Sequence, residues 1–476
     1  MAKRPGASIK SRQARNDLAL MKPKPNILVI FSDQLRRQAL GVYGDPNVAT
    51  PHIDALANGG ARFRSACSTY PVCVPFRFTL MTGEYAHSRF VPSSDWRMSP
   101  AERTLADEFN DAGYETFYVG KWHLQGSHGV LKPIHHSYRK GNRTPVPRLY
   151  QGRFQHWRGF EISNDPYDTC YFVDGDPAPH RIDKYQTDGL CDLGIELMAS
   201  RLNRAKPFFG IISVEPPHPA RVAPPELTAK WAQRELRLPP NFAARDEKQR
   251  QRFMEDLRSY YAMIENLDQN VGRLRAYLQQ AGLAKNTIVV LLADHGDLAG
   301  SHGLERKHWP YEESIGIPLI AAGPGCCRQV IEDPTCTEDL FPTLLGLAGL
   351  KAQNELPGMD LSPVIGGAAQ SLPREGVYLE WVAHLSPRSP FHAQPWRGFR
   401  GQRFKYVVHG GAEGGIPWQF FDLQADPFEM NNLVHDAAYG GEVARYHGLL
   451  RAQIAATGDH YVLAPAFGFD GVNLWQ

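Results

Sequence analysis

The sequence has no apolar run that approaches the ~20 residues required of a membrane-spanning helix. It also has almost no excess of one charge, because 52 lysines and arginines face 50 aspartates and glutamates, a net charge of +2. The first absence argues against a membrane span, and the second against a nucleic-acid binder that depends on bulk charge. Residues 1–23 are polar and basic without the apolar core of a secretory signal, so we expect an N-terminal tail and a cytoplasmic protein.

Cysteine is also scarce, and the cysteines are not spaced as in a disulfide framework. The seven cysteines are an odd number, and no two of them form a Cys-x-x-Cys pair. A disulfide framework is therefore not expected, although a bridge between Cys67 and Cys73 stays open.

What the chain does have is a series of apolar runs typical of strands buried on both faces of a parallel sheet. The clearest are residues 27–31, 115–119, 208–214 and 287–293. A long amphipathic helix is predicted over 257–278, and a Gly-, Ala-, Pro- and Ser-rich linker near residue 370 precedes short antiparallel strands at 377–381, 403–408 and 419–423. We predict an α/β domain over 24–370, with a mostly parallel sheet between helices, and a smaller α+β unit over 371–476 with a short antiparallel sheet.

One short stretch suggests a reactive site. Pro75 suits the first turn of a helix and Gly83 suits its end, which places Cys73 at the helix N-terminus, where an anion is favoured. Arg77 follows one helical turn later and can point to the same place. Taken alone, a single cysteine is more often a small buried apolar residue than a nucleophile.

Polar residues follow each of the predicted core strands, at the edge where ligands bind in open α/β sheets. A single such residue could be a helix cap or a turn residue, but the repetition at several strand ends is harder to explain that way. The residues are Asp33 and Gln34, Lys121 and His123, His218, and Asp294 and His295.

Together these motifs resemble the sulfatase family of the alkaline phosphatase superfamily, from about Pro25 to Leu433. The resemblance rests on the order of three motifs: Cys73-x-Pro75-x-Arg77, Gly120-Lys121-Trp122-His123 and Asp294-His295-Gly296-Asp297. It implies an alkaline phosphatase-like fold and a sulfuric ester hydrolase. It further implies that a formylglycine-generating enzyme oxidises Cys73 to formylglycine, whose hydrate is the nucleophile.

The resemblance also implies roles for the remaining residues. Arg77 would steady the diol and the sulfate, whereas Lys121, His123, His218 and Lys307 fall on sulfate-binding and proton-transfer positions, with His218 preferred as general acid. A divalent metal would be held by Asp33, Gln34, Asp294, His295 and the modified Cys73. The oxygen ligands favour Ca²⁺, and the histidine ligand keeps Mn²⁺ or Mg²⁺ open.

Two departures from the family pattern leave alternatives open. Phe76 stands where a small residue is usual, which could hinder oxidation or reshape the pocket, so a non-catalytic binding protein with unmodified Cys73 is one alternative. Gln34 replaces a second aspartate, an arrangement that choline sulfatases and phosphonate monoester hydrolases share, so phosphonate or phosphodiester hydrolysis is another alternative.

The expected substrate is a small-molecule or saccharide sulfate ester. The basic stretch 132–158 has two interpretations that we weigh equally. It is either a solvated loop or oligomer arm, or a rim that attracts an anionic substrate. Trp381, Trp396 and Trp418 could stack on a sugar, although packing is their more usual role, and His302 and Glu312 are expected to be structural. A homo-oligomer is left open.

Overall fold

The computed structural model describes residues 24–92, 96–126, 143–200, 202–384, 391–392, 394–410 and 414–463. Within these residues, ten strands form one mixed sheet in the order β10-β2-β9-β8-β1-β7-β3-β4-β5-β6. They are Asn26–Ser32 (β1), Ala61–Phe63 (β2), Glu115–Lys121 (β3), His156–Phe160 (β4), Cys170–Val173 (β5), Asp176–Arg181 (β6), Phe208–Val214 (β7), Thr287–Ala293 (β8), Leu319–Ala322 (β9) and Gln329–Ile331 (β10). The predicted tail, residues 1–23, lies outside the described residues.

A second, antiparallel sheet of four strands follows in the order β11-β12-β13-β14. Its strands are Gly376–Trp381 (β11), Trp396–Gly401 (β12), Phe404–His409 (β13) and Ile416–Asp422 (β14). The helices are Pro51–Asn58 (α1), Cys73–Thr82 (α2), Leu105–Asp111 (α3), Gln186–Ser200 (α4), Pro225–Ala232 (α5), Glu247–Gln280 (α6), Glu312–Ile315 (α7), Leu340–Leu347 (α8), Ser362–Ile365 (α9) and Gly440–Thr457 (α10). None of the helices in the described ranges is long and apolar enough to cross a membrane.

The predicted fold class is confirmed, with a parallel centre, helices on the sheet and a separate antiparallel sheet. Strands β8, β1, β7, β3 and β4 are parallel neighbours, whereas β9, β5 and β6 are paired antiparallel at the margins. Several elements were not foreseen. Strand β4 lies in a stretch expected to be irregular, and others, among them β12, α4 and α10, had no prediction.

Strand register aligns the ends of the central strands. Ser32, the last residue of β1, is the partner of Val214 in β7 and of Ala293 in β8. Gly120 in β3 is level with Ser213. The residues that follow these strands therefore emerge side by side at one edge of the sheet.

Helix α2 is buried along its whole length, from Cys73 to Thr82. It ends, as predicted, at Gly83, whose φ of 77° is a left-handed conformation that favours glycine. The Phe76 side chain belongs to the main hydrophobic core and packs on Phe31 of β1, with ring centroids 5.6 Å apart. The residue that departs from the family motif is thus part of the core packing.

Charged side chains link the second sheet to the part of the chain that carries the first sheet. Glu312 in α7 is buried and lies 3.0 Å from Nη2 of Arg37 and 3.4 Å from Nη2 of Arg400 in β12. The His302 ring stacks on Tyr311 at 3.8 Å. Both Glu312 and His302 thus make the structural contacts that the sequence suggested.

All seven cysteines are free, so Cys67 and Cys73 are not bridged. Trp381 and Trp396 have no exposed surface, whereas Trp418 is partly buried against the core. For the two fully buried indoles the packing interpretation is therefore the one that fits.

Candidate active site

The aligned strand ends bring buried charges of opposite sign together. Asp33 follows β1, Lys121 ends β3 and Asp294 follows β8, and all three are fully buried. The Lys121 Nζ atom lies 2.8 Å from Oδ2 of Asp33. Such charges are tolerated without water only when they are paired, so this edge of the sheet is a polar centre inside the core.

Cys73 lies at the middle of this centre. Its Sγ is 3.5 Å from Oδ1 of Asp33 and 3.2 Å from Nε2 of His295. Nζ of Lys307 lies 3.0 Å from the same sulfur. The start of α2, two strand ends and the loop that carries Lys307 therefore meet at one atom.

Arg77 is held rigidly beside Cys73. One of its nitrogens donates to the Lys121 carbonyl at 2.8 Å and to Oγ of Ser213 at 3.0 Å. The other lies 3.3 Å from Oδ2 of Asp33 and 3.6 Å from Oδ2 of Asp294. A fixed guanidinium of this kind suits a planar or tetrahedral oxyanion.

His123 and His218 lie near the cluster without a described hydrogen bond to it. His123 has a left-handed backbone (φ 57°), and its Nδ1 is buried without a hydrogen-bond partner among the described residues. Nδ1 of His218 donates to the Pro219 carbonyl at 2.6 Å, which leaves Nε2 as the other ring position. Burial is the main influence that lowers the pKa of each imidazole well below its ordinary value, and Lys121 adds to it.

Burial and charge act in opposite directions on the two carboxylates. For Asp33 the largest influence is burial, which raises the pKa, but Lys121 and the other cations together hold that pKa well below its usual range. For Asp294, burial and the neighbouring charge of Asp33 raise the pKa. Burial, with Asp33 second, also raises the pKa of the Cys73 thiol to about 12, so the unmodified thiol is protonated at neutral pH.

The donor atoms fit a divalent cation. Ligand atoms of Asp33, Cys73, Asp294 and His295 all lie within 4.8 Å of one another. Nδ1 of His295 donates to the Gly296 carbonyl at 3.0 Å, which turns the Nε2 lone pair towards the carboxylates. Oδ2 of Asp294 is buried and accepts no hydrogen bond from the described residues, which is expected of an oxygen that binds a cation.

Gln34 is held from outside the cluster by Asp297, a residue whose role the sequence did not indicate. The Gln34 side-chain nitrogen donates to Oδ2 of Asp297 at 2.5 Å, and Arg221 pairs with the same carboxylate. Asp297 is 1% exposed and also accepts from the Ala299 amide at 2.8 Å. With its nitrogen held there, the Gln34 amide has its carbonyl oxygen left for another partner.

Glu215 was also missed, although it directly follows β7. Its Oε1 lies 3.4 Å from Nζ of Lys121, and its two oxygens accept from the amides of Ser163 and Asn164 at 2.9 Å each. The strand-end rule that selected the other residues would have selected Glu215 too. Its position indicates that it helps to balance the charge of Lys121.

The basic stretch is largely neutralised within the chain where the structure describes it. Arg143 pairs with Asp168 at 2.6 Å, Arg148 with Asp174 at 3.0 Å and Arg158 with Glu196 at 2.9 Å. Arg153 pairs with Asp107. Lys132, Arg139 and Lys140 lie outside the described residues. For the part described, the contacts favour the structural interpretation over a free basic rim.

Comparisons with known proteins place these features in context. The sulfatase family model matches residues 25–350, and the model for the C-terminal region of N-sulphoglucosamine sulphohydrolase matches residues 300–455. An ulvan-active sulfatase of Formosa agariphila is 32% identical over 92% of this chain and 82% of its own. A Δ4,5-hexuronate-2-O-sulfatase of Bacteroides thetaiotaomicron is 28% identical over 93% and 91%.

Solved structures agree. The yidJ sulfatase of Bacteroides fragilis superposes with a TM-score of 0.81 at 28% identity, covering 92% of this chain and 97% of that one. A phosphonate monoester hydrolase of Agrobacterium radiobacter superposes with a TM-score of 0.72 at 22% identity over 91% and 96% of the chains, a likeness of fold.

The fold, the buried site and these relatives define a sulfuric ester hydrolase. The chain belongs to the sulfatase family.

Proposed function

We propose that this chain hydrolyses sulfate esters of saccharides, with a nucleophile made from Cys73 and a divalent metal beside it. The observation that carries the proposal is the meeting of Cys73, two buried carboxylates and fixed cations at one point, with Nζ of Lys307 3.0 Å from the sulfur. The saccharide part draws on the names of two relatives, the ulvan-active sulfatase and the hexuronate 2-O-sulfatase.

Asp33, Asp294, His295 and the carbonyl oxygen of Gln34 would hold the metal, with Ca²⁺ favoured by the oxygen ligands. When bound, the ion supplies positive charge that favours ionisation of the attacking hydroxyl. The hydrated aldehyde of an oxidised Cys73 has two hydroxyl groups. One is the attacking hydroxyl, and the other allows sulfate to be released afterwards by cleavage of a C–O bond.

The protein's cations bind and orient the sulfate group. Arg77 is fixed by the Lys121 carbonyl and Ser213, so its guanidinium needs no rearrangement to meet a sulfate oxygen. Lys307, close to the nucleophile, and Lys121, paired with Asp33, add positive charge in a site without bulk water. Each preorganised donor of this kind is typically worth about 3–4 kcal/mol in the transition state.

His218 is the group we assign to protonate the leaving oxygen. Its Nδ1 is committed to the Pro219 carbonyl, so Nε2 carries the exchangeable proton. Burial lowers its pKa in the free enzyme, and the negative charge of a bound sulfate ester opposes that effect and favours the protonated form.

The first experiment tests whether the nucleophile is made. Mass spectrometry of the peptide that contains Cys73 is expected to show a mass about 18 Da below that of the unmodified peptide, since oxidation to the aldehyde replaces sulfur by oxygen and removes two hydrogens. An unmodified thiol in protein that binds a sulfated saccharide without turnover would support the binding-protein alternative instead.

The second experiment compares substrates. Rates are measured on ulvan oligosaccharides, a 2-O-sulfated unsaturated uronide, 4-nitrophenyl sulfate, a phosphodiester and a phosphonate monoester. We expect the sulfated saccharides to be preferred, and Cys73→Ala to abolish turnover, whereas the exposed Cys327→Ala retains it. A preference for the phosphonate or phosphodiester would overturn the proposal in favour of the other hydrolase class.

A further inference from the structure

We propose that Glu215 is a specificity-determining residue, whose buried carboxylate disfavours doubly charged esters and so adapts the site to the single negative charge of a sulfate ester. The inference rests on the proposed function and extends it to the charge that the substrate carries. Glu215 acts here through its charge rather than through contact with the substrate, since electrostatic interactions extend over several ångströms in a buried site.

Glu215 is joined to the nucleophile through two charged side chains. Its Oε1 is 3.4 Å from Nζ of Lys121, and that Nζ is 2.8 Å from Oδ2 of Asp33. The other carboxylate oxygen of Asp33 is 3.5 Å from Sγ of Cys73. This series of contacts connects the Glu215 carboxylate to the reactive end of α2 and places it beside a cation that we assign to sulfate binding.

The surroundings of Glu215 suit its charged form. The residue is 3% exposed, and its Oε1 accepts from the Ser163 amide at 2.9 Å. Its Oε2 accepts from the Asn164 amide and from Nε2 of Gln186, at 2.9 Å each. An ionised carboxyl group accepts hydrogen bonds and donates none, so the charged form satisfies all of these donors.

The Glu215 backbone fixes this charge relative to the assigned general acid. Its amide donates to Oε1 of Gln186 at 3.1 Å, and its carbonyl accepts from the His218 amide at 2.9 Å. Gln186 therefore contacts both the backbone and the side chain of Glu215. The carboxylate cannot turn away from a bound anion without breaking these hydrogen bonds, so its repulsion of the anion persists.

The consequence is a difference between singly and doubly charged ligands. The cations of the site attract an anion, and the Glu215 carboxylate offsets part of that attraction. The offset is twice as large for a dianion as for a monoanion, because the electrostatic energy is proportional to the charge of the ligand. Inorganic sulfate, the product, is a dianion, so the same carboxylate also weakens product binding.

The first experiment measures kcat/KM on three nitrophenyl esters. 4-Nitrophenyl sulfate and bis(4-nitrophenyl) phosphate are monoanions, whereas 4-nitrophenyl phosphate is a dianion at about pH 8, since its second pKa is about 6. Glu215→Gln should raise the ratio of phosphate monoester over sulfate roughly tenfold. The ratio of phosphodiester over sulfate should stay unchanged, because these two esters carry the same charge.

Further variants separate charge from structure. Glu215→Ala, a neutral variant without a misplaced amide nitrogen, should show the same shift, and Glu215→Asp, which keeps the charge, should keep the wild-type ratio. Exchanging the two side chains, with Glu215→Gln and Gln186→Glu together, moves the carboxylate to the neighbouring position and should recover most of the ratio. Asp268→Asn is the matched control, because its carboxylate is 2% exposed and accepts from the amides of His52 and Ile53 instead. A merely structural role for Glu215 would lower all three rates together.

Binding of anions separates this inference from the proposed function. In a Cys73→Ala background with Ca²⁺ present, calorimetry should show that Glu215→Gln tightens binding of inorganic sulfate, a dianion, roughly tenfold more than binding of methyl sulfate, a monoanion. Equal changes for both anions, or no change in folded neutral variants, would overturn the role of Glu215. If the wild type hydrolyses no sulfate ester but this difference in binding appears, the proposed function fails while the role of Glu215 stands.

Discussion

Replacement of Asp297 by asparagine should weaken metal binding without removing any proposed ligand. The Asp297 carboxylate accepts from Gln34, pairs with Arg221 and accepts from the Ala299 amide, all in a position that is 1% exposed. Asparagine has nearly the same shape but only one accepting oxygen, so its amide nitrogen faces either the Ala299 amide or the donors on Gln34 and Arg221. The contact that orients the Gln34 amide is weakened in both orientations, because the remaining oxygen is uncharged.

The size of the effect follows from that geometry. Outer-shell partners of metal ligands typically cost about 10–100-fold in affinity when replaced, or roughly 1.4–2.8 kcal/mol. Breaking a buried ion pair by removing one partner costs about 3–5 kcal/mol of stability, and the 12% exposure of Arg221 favours the lower end. We therefore expect a folded variant with a lower Tm and a metal Kd raised at least tenfold.

The assay is calorimetric titration of chelator-treated protein with Ca²⁺, and in parallel with Mn²⁺ and Mg²⁺, together with Tm measured with and without each ion. Asp256→Asn is the matched control, because Asp256 lines the same cleft beside Arg221 but has no described hydrogen bond to Gln34. Wild-type metal affinity in folded Asp297→Asn would refute the argument that Asp297 orients Gln34 towards a cation.

Three further changes have defined outcomes. Glu338 is fully buried, and burial raises its pKa from 4.5 to about 8, although the Thr69 hydroxyl opposes this. The folded protein therefore keeps a proton on Glu338 that the unfolded chain loses near pH 4.5. As the pH rises from 4.5 to 8, the free energy of unfolding should fall by up to about 1.4 kcal/mol per pH unit. Glu338→Gln should flatten that fall in urea titrations at pH 5 to 8, and an unchanged slope would contradict the assignment. Phe76→Ala should cost about 3–5 kcal/mol in denaturant unfolding, because it leaves a cavity against Phe31; a cost below about 1 kcal/mol would argue against the core position of Phe76. Chelation should lower Tm, since the buried carboxylates of Asp33 and Asp294 then repel each other, and Ca²⁺ at about 100 times its Kd should restore about 2.7 kcal/mol; a Tm indifferent to chelator and ion would count against the metal site.

Much of the fold was predictable because buried parallel strands leave a strong local signal. The runs that became β1, β3, β7 and β8 are apolar on both faces, and the Gly83 helix end is a local conformational requirement. Strand β4 was missed because its polar and aromatic residues, such as Arg158, are stabilised by contacts far along the chain, here with Glu196.

The site was predictable in its strand-end residues but not in its supporting residues. Asp33, Lys121 and Asp294 stand where strands end, a position that the sequence marks. Arg221 carries no such mark, and the motif that contains Asp297 does not indicate its contact with Gln34, because that contact depends on loops that approach each other only after folding. Gln34 itself was assigned as a ligand without any indication of what orients it.

The sequence by itself determined the parallel core, the helix that begins at Cys73 and the list of polar residues at the strand ends, because each depends on neighbours within a few positions. Only the tertiary structure decided the distances among those residues, the pairing of the basic stretch with acids elsewhere, and the position of the His384 ring beside that of His308. These contacts join segments that are distant in the chain, and their geometry follows from sheet register and loop packing rather than from local propensity.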